Sequence, residues 1–363
     1  TLMSEGRIYN FSAGPSMMPL PVLEKAAAEM TNYGGSGMSV MEMSHRSKYY
    51  DDIINGAQDV LRRVYNIPDN YRILFMQGGA TMQFSAVPLN LMVTGKADYA
   101  ITGNFARNAY KEAKKFGDIH IAATSEADNF TWVPAPDQLD IRPDADYFYI
   151  CANNTIFGTE WHYDPNAGDV PVVADMSSNI LSKPVDISKY GMIYAGAQKN
   201  MGPAGMAVVI IREDLMGHYR ENMPVLLDYQ LMADKNSMYN TPPTYSIYMM
   251  KLVTEWVEQM GGLEAMAKNA DLRSSMLYDY LDSTDFYKGA AQKASRSRMN
   301  VTFRTGNDEL DKKFIQESID AGMTNLKGHR LVGGMRASIY NAMPIEGVEY
   351  LIDFMKKFEN NNK

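Results

Sequence analysis

The chain has 363 residues, with 35 Lys and Arg against 43 Asp and Glu, which gives a formal net charge of −8. Hydrophobic residues make up 45% and charged residues 21%, which is typical of a globular protein and excludes disorder as the main state. The acidic balance excludes a sequence-independent nucleic-acid binder, which needs a basic face. The length predicts two domains, one of them large.

Cysteine content and hydropathy predict a cytoplasmic protein. Cys151 is the single cysteine, so no internal disulfide can form, and this fits a reducing compartment. No run approaches 18 consecutive apolar residues, and the start, from Thr1 to Arg7, lacks the basic-then-apolar order of a signal peptide. We therefore expect neither a membrane span nor a membrane or nucleic-acid partner.

The first two thirds of the chain alternate short apolar runs with amphipathic segments. From Tyr50 to Ile67, for example, apolar residues fall on one helical face. This alternation is typical of an α/β fold with a mostly parallel sheet that is buried on both faces. The predicted helices span residues 50–67, 81–91 and 105–116, and the predicted strands span 73–76, 99–101, 119–122, 147–151, 171–174, 192–195 and 206–211.

The last third predicts a smaller α+β domain. An amphipathic helix from Ile247 to Met260 ends at Gly261-Gly262, a typical helix stop. We place the boundary there, with a large domain at 16–261, a small C-terminal domain at 262–363, and residues 1–15 packing near the small one. Helices are then predicted at 263–281, 309–321 and 345–358, and strands at 299–304 and 335–340.

Ligands of open α/β sheets bind beyond the carboxyl ends of the strands, so the residues after each apolar run are the candidate site. The first such stretch is Gln77-Gly78-Gly79-Ala80-Thr81. Its small residues let backbone N–H groups approach an anion, and the following helix N-terminus adds partial positive charge. The stretch fits a phosphate group, although a tight turn is the simpler interpretation of this motif alone.

Three further strand ends carry reactive or polar groups. Asp175 could simply cap the next element, or it could pair with a protonated ring nitrogen and keep it charged. Thr155 could donate to a phenolate oxygen, whereas Cys151 is interpreted as a small buried hydrophobe. Lys199 follows an apolar run between small residues, where partial burial would lower its pKa and allow a Schiff base; a surface lysine is the alternative.

Cationic side chains complete the candidate site. Arginine binds carboxylate and phosphate oxygens through paired hydrogen bonds, although any single arginine is more often a solvated surface residue. No His, Asp or Glu cluster has metal-ligand spacing, so no metal site is predicted. His120, His162 and His218 receive no role, and His120 is expected to lack a partner. The cations considered are the pairs His45-Arg46 and His329-Arg330, and Arg336.

The order of these residues along the chain resembles that in the pyridoxal-phosphate-dependent enzymes of the aspartate-aminotransferase fold. The resemblance is strongest to the phosphoserine aminotransferases of the class V family. The resemblance extends from Phe11 to Asn341. It implies fold type I, with a seven-stranded, mostly parallel sheet flanked by helices. The stretches that carry it are Ser44-His45-Arg46, Ala174-Asp175-Met176-Ser177-Ser178, Tyr194 to Asn200, and Tyr239-Asn240-Thr241-Pro242-Pro243.

The resemblance implies a role for each candidate. Lys199 would carry pyridoxal phosphate and move the substrate proton, and Asp175 would hold the ring nitrogen. Arg336 would bind the α-carboxylate. Asn240 and Thr241 would reach the phosphate from a partner subunit, which implies a homodimer. Thr155 would bind the ring hydroxyl, and Phe105 would stack on the ring, where Trp is commoner in such enzymes. Ala80, Thr81 and Gln198 would bind the cofactor phosphate. The distal anion of the substrate would be bound by His45, Arg46, His329 and Arg330.

The implied reaction transfers an amino group from glutamate to 3-phosphohydroxypyruvate. Some relatives also act on a phosphorylated threonine analogue in vitamin B6 synthesis, which the sequence leaves open. A cysteine desulfurase is a less favoured alternative, because it needs a mobile thiol and Cys151 lies at the end of an apolar run. An alanine–glyoxylate type aminotransferase is a second alternative, but its substrates have no distal phosphate and would not require two His-Arg pairs. A scaffold without activity would have no need of Lys199 and Asp175.

Overall fold

The computed structural model describes residues 6–218 and 221–363. Its strands are β1 (Tyr9–Asn10), β2 (Tyr71–Met76), β3 (Lys96–Ile101), β4 (Asp118–Thr124), β5 (Phe148–Cys151), β6 (Asn153–Asn154), β7 (Thr159–Glu160), β8 (Val172–Asp175), β9 (Met192–Gly196), β10 (Ala207–Arg212), β11 (Lys288–Gly289), β12 (Asn300–Arg304), β13 (Met323–Thr324) and β14 (Met335–Ser338). Its helices are α1 (Leu20–Glu29), α2 (Lys48–Tyr65), α3 (Gly79–Leu91), α4 (Asn104–Ala113), α5 (Tyr229–Asp234), α6 (Thr244–Gln259), α7 (Gly262–Ser283), α8 (Asp308–Asp320) and α9 (Ile345–Asn362). None of these helices is both long enough and apolar enough to cross a membrane.

The central sheet has seven strands in the order β2-β10-β9-β8-β5-β3-β4. The five from β9 to β4 run parallel, whereas β10 is antiparallel to both of its neighbours. Every residue of β5, β8 and β9 is buried, because a separate apolar cluster covers each face of the sheet. The predicted α/β class is confirmed, and the carboxyl ends of β5, β8 and β9 lie side by side.

Local sequence explains the helices that cover the sheet, and α2 is a clear case. The Ser47 hydroxyl accepts a 3.3 Å hydrogen bond from the Tyr50 N–H and caps the first turn. Ile53 and Ile54 are buried on the face that packs against α6. The helix ends at Asn66 in a left-handed conformation, and its N–H bonds the last carbonyls.

A second, smaller core lies around the antiparallel sheet β11-β12-β14, with α7, α8 and α9 packed on it. β1 pairs in parallel with β13, so residues 9–10 join this part of the fold. Residues 1–5, which were predicted to pack nearby as part of 1–15, lie outside the described residues.

Helix α7 connects the two cores. It contributes Leu263 and Met266 to the core of the central sheet, and Leu277 and Leu281 to the smaller one. Its first turns therefore pack with the large unit and its last turns with the small unit. The division into domains at 16–261 and 262–363 remains a proposal, supported by these separate cores.

Candidate active site

A cleft of about 210 Å³ opens at the carboxyl ends of the central strands. Its walls are the segments that follow β2, β5, β8 and β9, together with the first turn of α3. This is the edge at which open α/β sheets hold ligands. The predicted site residues that line it are Ala80, Thr81, Phe105, Thr155, Asp175, Gln198 and Lys199.

The turn between β2 and α3 lines part of the cleft. Gly78 has a φ of 88°, and a Cβ there would lie 2.6 Å from the Cβ of Met82, so the position suits glycine. Helix α3 begins at Gly79, and the N–H groups of its first turn carry the positive end of the helix dipole. With Gln198, which also lines the cleft, this turn can hold a phosphate group.

Lys199 lines the cleft and is buried among its other residues. Its Nζ donates a 2.8 Å hydrogen bond to Thr155 Oγ1 and lies 4.7 Å from the centroid of the Phe105 ring. Burial lowers the pKa of the amine below its ordinary value; Asp175 opposes this effect and Arg336 adds to it. The amine therefore loses its proton more readily than a surface lysine does, which suits a nucleophile.

Asp175 ends β8 with its side chain buried. Its Oδ1 accepts hydrogen bonds from the Ser177 N–H at 2.9 Å and the Ser177 hydroxyl at 2.6 Å. That hydroxyl accepts a 3.0 Å bond from the Gly196 N–H, which ties the carboxylate to β9. Burial raises the pKa of Asp175, and the hydrogen bonds from Ser177 lower it. Asp175 thus caps its own turn and also presents a carboxylate to the cleft.

Arg336 on β14, and His329 and Arg330 in the loop before it, are not among the residues that line the cleft, but Arg336 contacts one that is. Nη1 of Arg336 donates to the Thr155 carbonyl at 3.4 Å, beside the Lys199 contact. Burial lowers the pKa of Arg336. Burial, with the positive charges of Arg336 and Arg330, also lowers the pKa of His329. Arg336 therefore lies at the Thr155 side of the cleft, and its charge and that of Arg330 both act on His329.

A second group of predicted residues does not line the cleft in the described chain. His45 and Arg46 lie before α2, and Asn240 and Thr241 lie before α6; all but the half-buried His45 are exposed. The two loops touch, because Arg46 Nη2 donates to the Met238 carbonyl at 3.0 Å. We call this group of four the exposed polar patch. A single chain therefore brings together only part of the predicted site.

The cleft contains side chains whose roles the sequence interpretation did not assign. Ser177 and Ser178 belong to a quoted motif, but their hydrogen bonds depend on the turn after β8. Asn153 is a polar residue directly after a buried strand, a signal that could have been used. Phe84 follows Thr81 by three residues and so shares its helix face.

The structure also locates two residues that were considered and set aside. Burial raises the pKa of the Cys151 thiol well above its ordinary value, which argues against the mobile thiolate that a desulfurase needs. The expectation for His120 is wrong, because its Nε2 lies 3.0 Å from the Asp140 carbonyl and 3.3 Å from the Asp140 carboxylate. In the described part of the chain, no three His, Cys, Asp or Glu side chains are grouped to hold a metal ion.

Comparison with known proteins decides the family. The family model described as Aminotransferase class-V matches residues 8–351. This chain belongs to the class-V aminotransferases. It is a pyridoxal-phosphate-dependent transaminase that acts on small molecules.

Two curated relatives of this class-V aminotransferase are similar over nearly their whole length. The phosphoserine aminotransferase of Bacillus cereus is 50% identical over 358 residues, which cover 98% of this chain and 99% of the relative. The phosphoserine aminotransferase of Desulfatibacillum aliphaticivorans is 51% identical over 361 residues, which cover 99% of each chain.

Solved structures agree with this class-V fold. The phosphoserine aminotransferase of Bacillus circulans subsp. alkalophilus has a TM-score of 0.96 at 46% identity, covering 98% of this chain and 99% of the other. The pyridoxal-phosphate-bound enzyme of Trichomonas vaginalis has a TM-score of 0.92 at 40% identity, covering 96% and 100%. An alanine–glyoxylate aminotransferase from Nostoc shares the fold at 15% identity and a TM-score of 0.78.

The chemistry of the cleft fits pyridoxal phosphate. The cofactor has an aldehyde, a ring nitrogen, a phenolic oxygen and a phosphate. The cleft presents an amine with a lowered pKa, a buried carboxylate, a hydroxyl and a helix N-terminus. Each polar part of the cofactor therefore has a matching group in the wall.

Proposed function

We propose that this aminotransferase reversibly transfers the amino group of glutamate to 3-phosphohydroxypyruvate, giving O-phosphoserine and 2-oxoglutarate in serine biosynthesis. The observation that carries the proposal is the arrangement around Thr155. Its hydroxyl contacts Lys199 Nζ at 2.8 Å, and its carbonyl contacts Arg336 at 3.4 Å. A carboxylate bound by Arg336 therefore lies beside the reactive amine. The choice of substrates is supported by the relatives, which are named phosphoserine aminotransferases.

The cofactor is proposed to occupy the cleft described above. When bound, it supplies an aldehyde for the amino group and a ring that accepts the electrons of the broken Cα–H bond. Asp175 would pair with the ring nitrogen and favour its protonated form, because a buried carboxylate stabilises an adjacent positive charge. The other residues that hold it are Ala80, Thr81 and Gln198 at the phosphate, Thr155 at the phenolic oxygen, Phe105 at the ring face, and Lys199 at the aldehyde.

Lys199 also serves as the general base. Its lowered pKa means that the amine gives up its proton more readily than a surface lysine does, and Nζ can then accept the Cα proton of the substrate. Arg336 fixes the substrate through the α-carboxylate, and this holds the Cα–H bond within reach of Nζ.

The distal end of the substrate is anionic in both half-reactions. The charges of Arg336 and Arg330 both act on His329. We propose that His329 and Arg330 bind the phosphate of phosphoserine or the side-chain carboxylate of glutamate, together with His45 and Arg46. Arg330→Ala and Arg46→Ala should each raise the KM for phosphoserine and leave cofactor affinity unchanged. Wild-type phosphoserine kinetics in both variants would exclude this subsite.

The exposed polar patch supports a homodimer with shared sites. Gln77 Nε2 donates to the Thr241 carbonyl at 3.2 Å, so the patch adjoins the turn at Gly78 without lining the cleft. We propose that Asn240 and Thr241 complete the phosphate site of a second copy. We also propose a cytoplasmic location, supported by the single buried cysteine.

The test is a coupled assay of the purified protein loaded with pyridoxal phosphate. Phosphoserine and 2-oxoglutarate should yield glutamate, and Lys199→Ala should be inactive and lose the visible Schiff-base absorbance. Alanine with glyoxylate serves as the control reaction. A separate assay with 4-phosphohydroxythreonine shows whether the enzyme also accepts this second phosphorylated amino acid. Activity with alanine and glyoxylate but not with phosphoserine would refute the proposal.

A further inference from the structure

Asn300 lies at the centre of a buried hydrogen-bond network. The residue is on β12 and has 0% of its surface exposed. Its Oδ1 accepts a 2.8 Å bond from Asn153 Nδ2, and Asn153 lines the cleft. Its Nδ2 donates to Ser338 Oγ at 2.9 Å and to the Tyr340 hydroxyl at 3.1 Å. One amide therefore joins the cleft wall to β14 and the segment after it.

The Asn153 side of the network continues under the cofactor cleft. Asn153 Nδ2 also donates to Ser178 Oγ at 2.7 Å, in the turn that follows Asp175. Asn153 Oδ1 accepts a 2.5 Å bond from Ser297 Oγ. The amide of Asn153 is thus fixed from both sides, and it cannot rotate without breaking these bonds.

The Tyr340 side of the network reaches the reactive lysine. The Tyr340 hydroxyl donates to the Ala13 carbonyl at 2.7 Å. The next residue, Gly14, packs against Lys199, because a Cβ at Gly14 would lie 3.1 Å from Lys199 Cγ. The segment beside Lys199 is therefore attached to the same amide of Asn300.

The Ser338 side of the network supports Arg336. Strand register pairs Asn300 with Ser338, and Thr302 with Arg336. Because Arg336 and Ser338 are two residues apart on β14, their side chains project from the same face. The alternate residues Met335 and Ala337 pack into the smaller core. Asn300 thus holds the face of β14 that carries Arg336.

We infer that Asn300 is a positioning residue that fixes Arg336 relative to Lys199 and so sets the affinity for the α-carboxylate of both amino-acid substrates. The inference rests on the proposed function through the assignment of Arg336. A buried polar network with all its groups paired holds a single arrangement. Loss of its central amide allows β14 to shift against the cleft, and small displacements of a binding group are costly to a positioned substrate.

Asn300→Ala, assayed with glutamate and with phosphoserine, tests the inference. The KM of both substrates should rise by the same factor, about tenfold, because both present an α-carboxylate. The dissociation constant of pyridoxal phosphate should change by a smaller factor than KM, because Asn153 keeps its bonds to Ser178 and Ser297 when Asn300 is replaced. A rise confined to phosphoserine, or a change in cofactor affinity without a change in KM, would overturn the inference.

A double-mutant cycle separates this inference from the proposed function. Arg336→Gln should raise both KM values, and adding Asn300→Ala should then have no further effect, since Asn300 acts through Arg336. If Arg336→Gln leaves KM unchanged, the proposed role of Arg336 fails. If Arg336→Gln raises KM while the effects of the two variants simply add, only the role of Asn300 fails.

Asn90→Ala is the matched control. This buried amide on α3 donates to the Ala86 carbonyl at 2.8 Å and the Leu227 carbonyl at 2.7 Å, and accepts a 3.0 Å bond from the Tyr229 N–H. Its loss should lower stability without changing KM.

Ser338→Ala covers the case in which Asn300→Ala does not fold. It removes one of the two acceptors of Asn300 Nδ2 and leaves the Tyr340 bond in place. The KM values should rise by a smaller factor, equal for both substrates. Unchanged KM values in Ser338→Ala would overturn the inference.

Discussion

The proton affinity of Lys199 depends on burial and on two charges of opposite sign. Burial lowers the pKa of its amine, Asp175 raises it and Arg336 lowers it. Because only the unprotonated amine attacks an aldehyde, the uptake of pyridoxal phosphate by the apoprotein should speed up as pH rises and level off below the ordinary pKa of lysine. Arg336→Gln should move the midpoint to higher pH, and Asp175→Asn should move it to lower pH.

Stopped-flow absorbance across a pH series measures these midpoints. Lys199→Ala provides the baseline, because it lacks the reacting amine. Midpoints that move in the same direction in the two charge variants, or that do not move, would contradict the electrostatic account of Lys199.

Phe105 stands where the sequence resemblance expects a tryptophan. Its ring lies 4.7 Å from Lys199 Nζ and can stack on a cofactor ring with less area than an indole. Phe105→Trp should lower the dissociation constant of pyridoxal phosphate about fivefold, since an aromatic pair contributes about 1 kcal/mol. Equilibrium dialysis checks this, with Phe105→Leu as the control that should bind more weakly. A tryptophan variant that holds the cofactor no more tightly would contradict the stacking role.

At the level of single residues, the sequence could predict those that directly follow buried strands. Lys199, Asp175 and Thr155 were found in this way and lie in one cleft. Phe84 was missed because its position depends on the rotation of α3 about its own axis. His120 was misjudged because its partner Asp140 is twenty residues away, across an irregular segment.

Among the structural elements, the turn between β2 and α3 allows a controlled test of backbone conformation. Gly78 and Gly95 have φ values of 88° and 85°, but only a Cβ at Gly78 would meet a neighbour, Met82. Gly95→Ala should lose about 1 kcal/mol of stability, the cost of a left-handed conformation, and Gly78→Ala should lose more, because its Cβ also meets Met82. Only Gly78→Ala should also weaken cofactor binding, about tenfold, because it disturbs the N-terminus of α3.

Thermal unfolding and cofactor titration of the two variants measure these effects. Equal cofactor affinity in Gly78→Ala and Gly95→Ala would show that the turn does not hold the phosphate.

Elements with a strong pattern could be predicted, and those with a weak pattern could not. The long helices and the seven strands of the central sheet lie within a few residues of their predicted bounds. Helix α1 buries only Val22 and Ala26, and β1 and β13 have two residues each. None of the three elements therefore shows a hydrophobic period that could be recognised in the sequence. The direction of β10 was also unreadable, because an apolar run has the same composition in either orientation.

For the whole molecule, the shared-site proposal predicts complementation between inactive variants. Lys199→Ala lacks the reactive amine, and Asn240→Ala/Thr241→Ala lacks the exposed side of the phosphate site. In a mixed dimer, one cleft receives an intact lysine and an intact patch from different chains. Unfolding and refolding the two variants together should therefore restore about a quarter of wild-type activity.

Size-exclusion chromatography verifies that the mixture is dimeric, and each variant refolded alone is the control. No gain in activity in a mixture that contains mixed dimers would show that each chain completes its own cleft.

The pairing of β1 with β13 has a consequence for synthesis. Met323 and Thr324 are translated long after their strand partners Tyr9 and Asn10. Closing a loop of roughly 300 residues is entropically costly, so this pairing forms late. A nascent chain stalled before β13 would leave the side chains of Tyr9 and Phe11, which are buried in the complete fold, open to chaperones on the ribosome.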